Sequence, residues 1–330
     1  MILSGLSGTG KSQLVWCYTK ALGLAKESLK MIPVRPNWSD DSDLIGFVDS
    51  MHSVYRPDDA GFVNTLIEAS KAENQDKLYL ICFDEMNLAR VEHYFSQFLS
   101  ILEMPEQNRF LKLYAKEYET RLYNVDKYPS SVKIGNNLRF IGTVNMDEST
   151  FHFSDKVLDR ANVIQLDLVP YTEWRVGEGK KAEPEQTENE VWSYKKYGEL
   201  VKELDLEKDI LSAREREFLW KVHTTLNGCS KTLGVGPRIL KQIAKYLINL
   251  PKTESEEAIS RREGFDIQFV QRVLTKVRGQ KEQFYDIFDE NVKTSLPKLF
   301  EEYSDVSDFE KSKKMLEVKK REIENYGYTL

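Results

Sequence analysis

Cysteine and histidine are scarce in this 330-residue chain, and the scarcity removes two classes of site at once. The three cysteines, Cys17, Cys82 and Cys229, are odd in number and far apart, which excludes a disulfide framework and paired zinc ligands. Set among apolar neighbours, they are expected to be reduced core residues of a cytoplasmic protein. The four histidines, His52, His93, His152 and His223, show no ligand spacing, so no metal other than Mg²⁺ is expected. No apolar run approaches the roughly 18 residues a membrane helix needs, and no secretory or transit signal opens the chain; the protein is expected to be soluble. Excess positive charge is missing too. A formal net charge of −6 argues against a uniformly basic nucleic-acid surface. What remains is an apolar fraction of 41% with 16 Phe and 16 Tyr, enough for a sizeable core, and a length that suits two domains.

Against that background one stretch stands out. Gly5, Leu6, Ser7, Gly8, Thr9, Gly10, Lys11 and Ser12 fit the pattern GxxxxGK[ST], with an apolar stub (Ile2, Leu3) before them and a helix-compatible run after them. Glycines let backbone N–H groups turn inward around a phosphate, and the following helix points its positive end at the anion. Lys11 adds a point charge and Ser12 offers a hydroxyl to Mg²⁺. The pattern predicts a nucleoside triphosphate site, with ATP or GTP as substrate. Met1 stands so close to this loop that the first strand looks trimmed, and a further N-terminal segment is expected to precede it.

Downstream, Leu14, Val15, Tyr18, Ala21 and Leu22 recur at helical spacing. A short strand is expected at Met31 to Val34, and a buried parallel strand at Leu78 to Phe83, where the run is continuously apolar. Val91, Phe95, Phe98, Leu99 and Leu102 mark one helical face. Residues 105–137 lack a clear period and read as an inserted hairpin or loop. Further strands are expected at Leu138 to Val144 and Val163 to Leu168. Strands interleaved with helices predict an α/β fold around a parallel sheet over residues 1–176. From Gly177 the chain turns to Gly, Lys, Glu, Pro and Gln, which marks a flexible acidic linker over 177–208. Helical patterns then fill 209–280, and a charged helical tail occupies 281–330.

Asp84 and Glu85 close the apolar strand some seventy positions after Ser12. There the first carboxylate is placed to hold Mg²⁺ and the second to orient and deprotonate an attacking water; the bland alternative is two charges capping a strand. Asn145, at the tip of the neighbouring strand, can hydrogen-bond the γ-phosphate or that water, or instead start an Asx-turn with Asp147.

Three segments carry a resemblance. Phe83-Asp84-Glu85-Met86-Asn87-Leu88-Ala89-Arg90, Gly142-Thr143-Val144-Asn145-Met146-Asp147 and Leu158-Asp159-Arg160-Ala161 resemble the AAA+ module of McrB-like NTPases, motor subunits of McrBC-type modification-dependent restriction systems, from the phosphate loop to about residue 280. The resemblance implies a P-loop αβα sandwich with a parallel sheet, followed by a small all-helical lid. It implies a hexameric ring with active sites between subunits, a McrC-like nuclease partner, and DNA reached through a preceding domain or the ring pore. Arg160 occupies the position of an arginine finger given to the next subunit, a role worth about 10³–10⁵ in rate in other P-loop enzymes; a surface ion pair with Asp159 or Asp155 is the alternative. Arg238, after Gly236-Pro237 on the first turn of a lid helix, is similar to the second sensor, or else faces solvent or an interface acid. One departure concerns the base. The family's Met-Asn-x-x-Asp signature is here Val144-Asn145-Met146-Asp147-Glu148, changed at two of its three defining residues, so the choice between ATP and GTP stays open. Two other readings compete: a remodelling ATPase similar to MoxR or dynein-related modules, acting on a protein, and a non-hydrolysing nucleotide-gated scaffold.

Overall fold

The computed structural model describes residues 1–145, 150–168, 191–202, 210–251 and 258–329. The chain divides into two compact units, Met1–Arg160 with Ile164–Gly198, and Ala161–Val163 with Glu199–Leu330. Among the described residues no helix is long and apolar enough to cross a membrane. The fold is an α/β P-loop fold with a helical C-terminal region.

The first unit is built on five strands: β1 (Ile2–Gly5), β2 (Leu29–Pro33), β3 (Tyr79–Asp84), β4 (Leu138–Asn145) and β5 (Val163–Gln165), in the order β2-β3-β4-β1-β5. The pairs β2/β3, β3/β4 and β1/β4 are parallel. Their register aligns the carboxyl ends along one edge, with Gly5 opposite Asn145 and Pro33 opposite Asp84. That edge is where open α/β sheets present ligand sites. β3 is buried from Tyr79 through Phe83, as a continuous apolar run demands, because both of its faces are covered. Leu80 and Cys82 join Leu3, Val15, Leu22, Leu29 and Ile141 in one core cluster. Phe83 belongs to an aromatic cluster, meeting Phe95 at 5.2 Å and Phe62, on helix α2 (Phe62–Ser70), at 5.7 Å between ring centroids. Each such pair adds about 0.5–1.5 kcal/mol beyond its burial.

Helix α1 (Lys11–Ala21) differs from the sequence expectation in the face it buries. Lys11, Val15 and Thr19 are buried, whereas Leu14 and Tyr18 remain 44% and 38% exposed. At about 100° per residue, the i, i+4, i+8 row forms a single narrow stripe, and only Val15 in it is apolar. The Thr19 hydroxyl is satisfied inside the helix, donating to the Val15 carbonyl at 2.8 Å. Cys17 lies on the outer face and is exposed, which corrects its expected place in the core. Cys82 is buried as expected; desolvation, reinforced by the Asp84 charge, pushes its thiol up to about 12.

The apolar spacing from Val91 to Leu102 also resolves differently. Two short helices, Val91–Tyr94 and Ser96–Ile101, flank Phe95, which leaves helical geometry at φ −106°, ψ 13° and stacks on Phe98 at 4.8 Å. Within residues 105–137, Phe110–Lys112 pairs antiparallel with Ser131–Lys133, so the insertion contains a hairpin. The expected linker lies largely outside the described residues. Residues 191–198 count with the first unit, because Trp192 and Tyr197 pack against its Leu3–Val15 core.

The second unit contains α3 (Ala213–Cys229), α4 (Pro237–Ile248), α5 (Arg261–Arg272), α6 (Lys281–Phe288), α7 (Leu296–Glu302) and α8 (Glu310–Tyr326). α3 begins with a capping box: Ser212 accepts from the Glu215 N–H at 3.1 Å, and Glu215 accepts from the Ser212 N–H at 2.6 Å. Pro237 opens α4, where its missing N–H costs nothing. Phe218 packs on Phe269 and Phe309 at 5.2 and 4.8 Å. Phe284, Phe300, Phe309, Leu316 and Ile323, from the region expected as a tail, share this core with Phe218, Ile243 and Phe265.

Candidate nucleotide site

Between β1 and α1 the chain makes a loop whose Gly8 and Gly10 adopt left-handed φ angles of 82° and 83°. A side chain at either position would be strained, and that freedom is what lets successive amides turn to one side. Leu6, Ser7 and Gly8 are exposed. Lys11 is buried, and its ammonium donates back to the carbonyls of Gly5 at 3.0 Å and Leu6 at 2.7 Å. The charge therefore sits inside the loop at the start of α1, where a phosphate would meet both the lysine and the helix N-terminus.

The register of the sheet sets the next contact. Ser12 Oγ donates to Asp84 Oδ1 at 2.7 Å across 72 positions of sequence, joining the first turn of α1 to the end of β3. The same oxygen accepts from Thr143 Oγ1, also at 2.7 Å. Thr143 belongs to β4, the strand between β3 and β1.

Glu85 follows Asp84 at φ 53°, ψ 49°, a left-handed conformation that costs a β-carbon-bearing residue about 1–2 kcal/mol. Two backbone bonds hold the kink: the Glu85 N–H donates to Thr143 Oγ1 at 2.9 Å, and the Glu85 carbonyl accepts from the Leu88 N–H at 2.9 Å. The carboxylate is exposed and accepts from Asn145 Nδ2 at 2.8 Å. Asn145 is itself fixed from behind, because Asn87 Nδ2 donates to its carbonyl at 2.9 Å and Thr150 Oγ1 does so at 3.2 Å. Next to Glu85, buried Met86 packs over Gly142, where any β-carbon would collide with Met86 Sδ.

The structure thus brings Lys11, Ser12, Asp84, Glu85 and Asn145 to one edge of the sheet. Thr143, Asn87 and Gly142 join them without having been singled out in the sequence. Their signal was faint: a threonine, an asparagine and a glycine inside motifs already assigned to other residues. Met146, Asp147 and Glu148, with the base signature and the Asx-turn alternative, lie outside the described residues.

Arg160 lies at the end of the first unit, 22% exposed at its side chain. Its Nε donates to the Leu99 carbonyl at 3.0 Å, Nη1 to the Lys156 carbonyl at 2.7 Å and Nη2 to Glu103 at 3.0 Å. It forms an ion pair with Glu103, just past the end of the helix Ser96–Ile101, whose Leu99 carbonyl it also caps, a place where a cation is favoured. Arg238 is exposed on the first turn of α4, in the second unit.

Mg²⁺ fits the donor set. No group of three or more His, Cys, Asp or Glu able to hold a metal occurs among the described residues. Ser12 and Asp84 offer one hydroxyl and one carboxylate, and the remaining positions of an octahedron would come from water and phosphate oxygens. That is how Mg²⁺ is ordinarily held beside a nucleotide.

Comparison with known proteins adds little to this geometry. Residues 188–328 match the model of a domain of unknown function, DUF8727. No curated protein matches the chain. Among solved structures, the chain is similar to one described as a "putative ATPase" from Cytophaga hutchinsonii, at 14% identity and a TM-score of 0.46, over 83% of this chain and 76% of that one.

Proposed function

We propose that the chain is an AAA+ nucleoside triphosphatase that hydrolyses ATP or GTP with Mg²⁺. The observation that carries the reading is the Ser12–Asp84 hydrogen bond at 2.7 Å, with Glu85 beside it and Lys11 inside the loop. It joins a phosphate-cradling loop to a strand-end acid pair, the arrangement that phosphoryl transfer to water requires.

Each residue then has a task. The loop amides from Gly5 to Gly10 and Lys11 bind the β- and γ-phosphates. Ser12 and Asp84 would hold Mg²⁺, which would supply neutralisation of the phosphate charge there. Glu85 orients and deprotonates the attacking water, and Asn145 spans the distance between that carboxylate and the γ-phosphate. Arg160 is supplied to the site of a neighbouring subunit, where it must first leave Glu103. Arg238 connects the helical unit to the nucleotide. At a finer level we propose a McrB-like ring motor, a hexamer that licenses a McrC-like nuclease on foreign DNA. The three motif segments around Glu85, Asn145 and Arg160 support that level.

Turnover of ATP and of GTP, measured against protein concentration with Mg²⁺ present, tests the proposal. Specific activity should rise steeply with concentration and fall in Arg160→Ala. Activity that is flat per protomer would remove the shared site while leaving the hydrolase; no turnover of either nucleotide would remove the hydrolase. Stimulation by a nuclease partner favours the restriction role over a protein-remodelling one.

A further inference from the structure

Thr143 is 1% exposed, in the middle of the sheet, at a position where valine would have the same shape without a hydroxyl. Burying an unpaired hydroxyl costs about 1–3 kcal/mol, so what this one bonds to matters. Its single proton goes to Asp84 Oδ1 at 2.7 Å, and one of its lone pairs receives the Glu85 N–H at 2.9 Å. One oxygen atom therefore fixes the side chain of the first acid and the backbone of the second. Ser12 shares Asp84 Oδ1 but belongs to the loop-helix side of the site, whereas Thr143 approaches from β4. When Ser12 engages a metal, the grip of Thr143 on the carboxylate does not depend on the loop.

We propose that Thr143 is a positioning residue that sets Asp84 for the metal and Glu85 for the water in one fixed geometry. The inference rests on the hydrolase reading above. Its physical content is that the Asp84 carboxylate and the Glu85 backbone are both held by one hydroxyl from the neighbouring strand, β4. Glu85 keeps its left-handed kink because its amide, which a sheet ladder can no longer satisfy there, finds this acceptor.

The test compares Thr143→Val with Thr143→Ser, measuring nucleotide affinity by calorimetry in EDTA and in Mg²⁺, turnover against Mg²⁺ concentration, and melting temperature. T143V should match wild type in EDTA and lose about 10- to 100-fold in Mg²⁺-dependent affinity or turnover, the usual cost of removing a residue that orients a metal ligand. T143S, which keeps the hydroxyl and loses the methyl, should stay within a few-fold of wild type. A role in packing alone would instead move the melting temperatures and leave the Mg²⁺ profile in place. If T143V does not fold, Thr143→Ala against T143S makes the same comparison. Wild-type Mg²⁺ dependence in T143V, or a T143S as impaired as T143V, overturns the inference. Wild-type protein that takes up no nucleotide with Mg²⁺ overturns the hydrolase reading itself, a distinct result.

Discussion

Asn145 donates from Nδ2 to Glu85 Oε1 at 2.8 Å, so the proposed base and the proposed phosphate sensor are in direct contact. The bond runs from the tip of β4 to the residue after β3, and Asn87 holds the Asn145 carbonyl at 2.9 Å from the same segment. A shift of either strand tip is felt by the other. Such coupling is what a site needs if the state of the γ-phosphate is to alter the position of the base.

Replacing the proposed base isolates its chemistry. Glu85→Gln keeps the shape and can still accept from Asn145, but an amide cannot take a proton from water. Turnover should fall by about 10²–10⁴, the span of general-base contributions, while nucleotide affinity in Mg²⁺ stays within a few-fold of wild type. Paired turnover and calorimetric measurements check this, and loss of binding together with turnover would count against the assignment.

Removing the partner asks a different question. Asn145→Ala leaves Glu85 without this donor and the nucleotide without its proposed sensor. The expected result is a drop in kcat with little change in KM, since the lost interaction is one that strengthens only as the transition state forms. A raised KM at unchanged kcat would place Asn145 in ground-state binding instead.

The parts of this site that could be read from the sequence are those carried by local pattern. The phosphate loop has fixed spacing, and β3 is an unbroken apolar run that ends in two acids; both show in one dimension. Thr143 did not, because its role depends on β4 lying between β1 and β3. α1 misled for the opposite reason. Its apolar residues suggested a wide buried face, but the sheet covers only the Lys11–Val15–Thr19 row. Residues 281–329 read as charged because the charges are many, yet the fully buried Phe284, Phe300 and Phe309 are spaced across three segments and only a folded core brings them together.

Gly142 offers a steric test of the link between β4 and the acid pair. A β-carbon there collides with Met86 Sδ and comes within 3.3 Å of Met86 Cβ, so Met86 must give way next to Glu85. Gly142→Ala should destabilise the protein by about 1–3 kcal/mol, as overpacking of a core does. Turnover should fall more than stability explains. Combining it with Met86→Ala should recover part of the loss, and a double-mutant cycle on urea unfolding measures that coupling. Strict additivity would mean the two residues do not meet.

In the helical unit, Asp266 of α5 accepts from the Lys311 N–H at 2.8 Å and the Ser312 N–H at 3.1 Å, satisfying the first turn of α8. Hydrogen bonds to a charged group contribute about 1.5–3 kcal/mol, and helix caps about 0.5–2. Asp266→Ala should therefore cost about 2–3 kcal/mol of unfolding free energy, seen as an earlier transition in circular dichroism. Because α8 contributes Leu316 and Ile323 to the core, the loss should spread to the whole unit and not remain a frayed end.

Lys319, on the same helix, supplies a pH test. It is 4% exposed, and burial pulls its ammonium down from the ordinary 10.5 to about 8; Glu322 opposes the shift and Arg278 adds to it. A lysine with a depressed folded value binds its proton less readily than the unfolded chain does. Between about pH 8 and 10.5 the unfolded state therefore holds more protons, and stability should rise with pH across that window. Below it the full cost of burying the charge remains. Lys319→Met removes the charge while keeping a long apolar stem, so it should be more stable than wild type at pH 7 by on the order of 1–3 kcal/mol. The gain should shrink as the pH rises from about 8 through 10.5, above which the lysine is neutral in both states. Urea unfolding of both proteins at pH 7, 9 and 10 measures the gap, and a gap that stays constant over that range would mean Lys319 keeps its proton throughout.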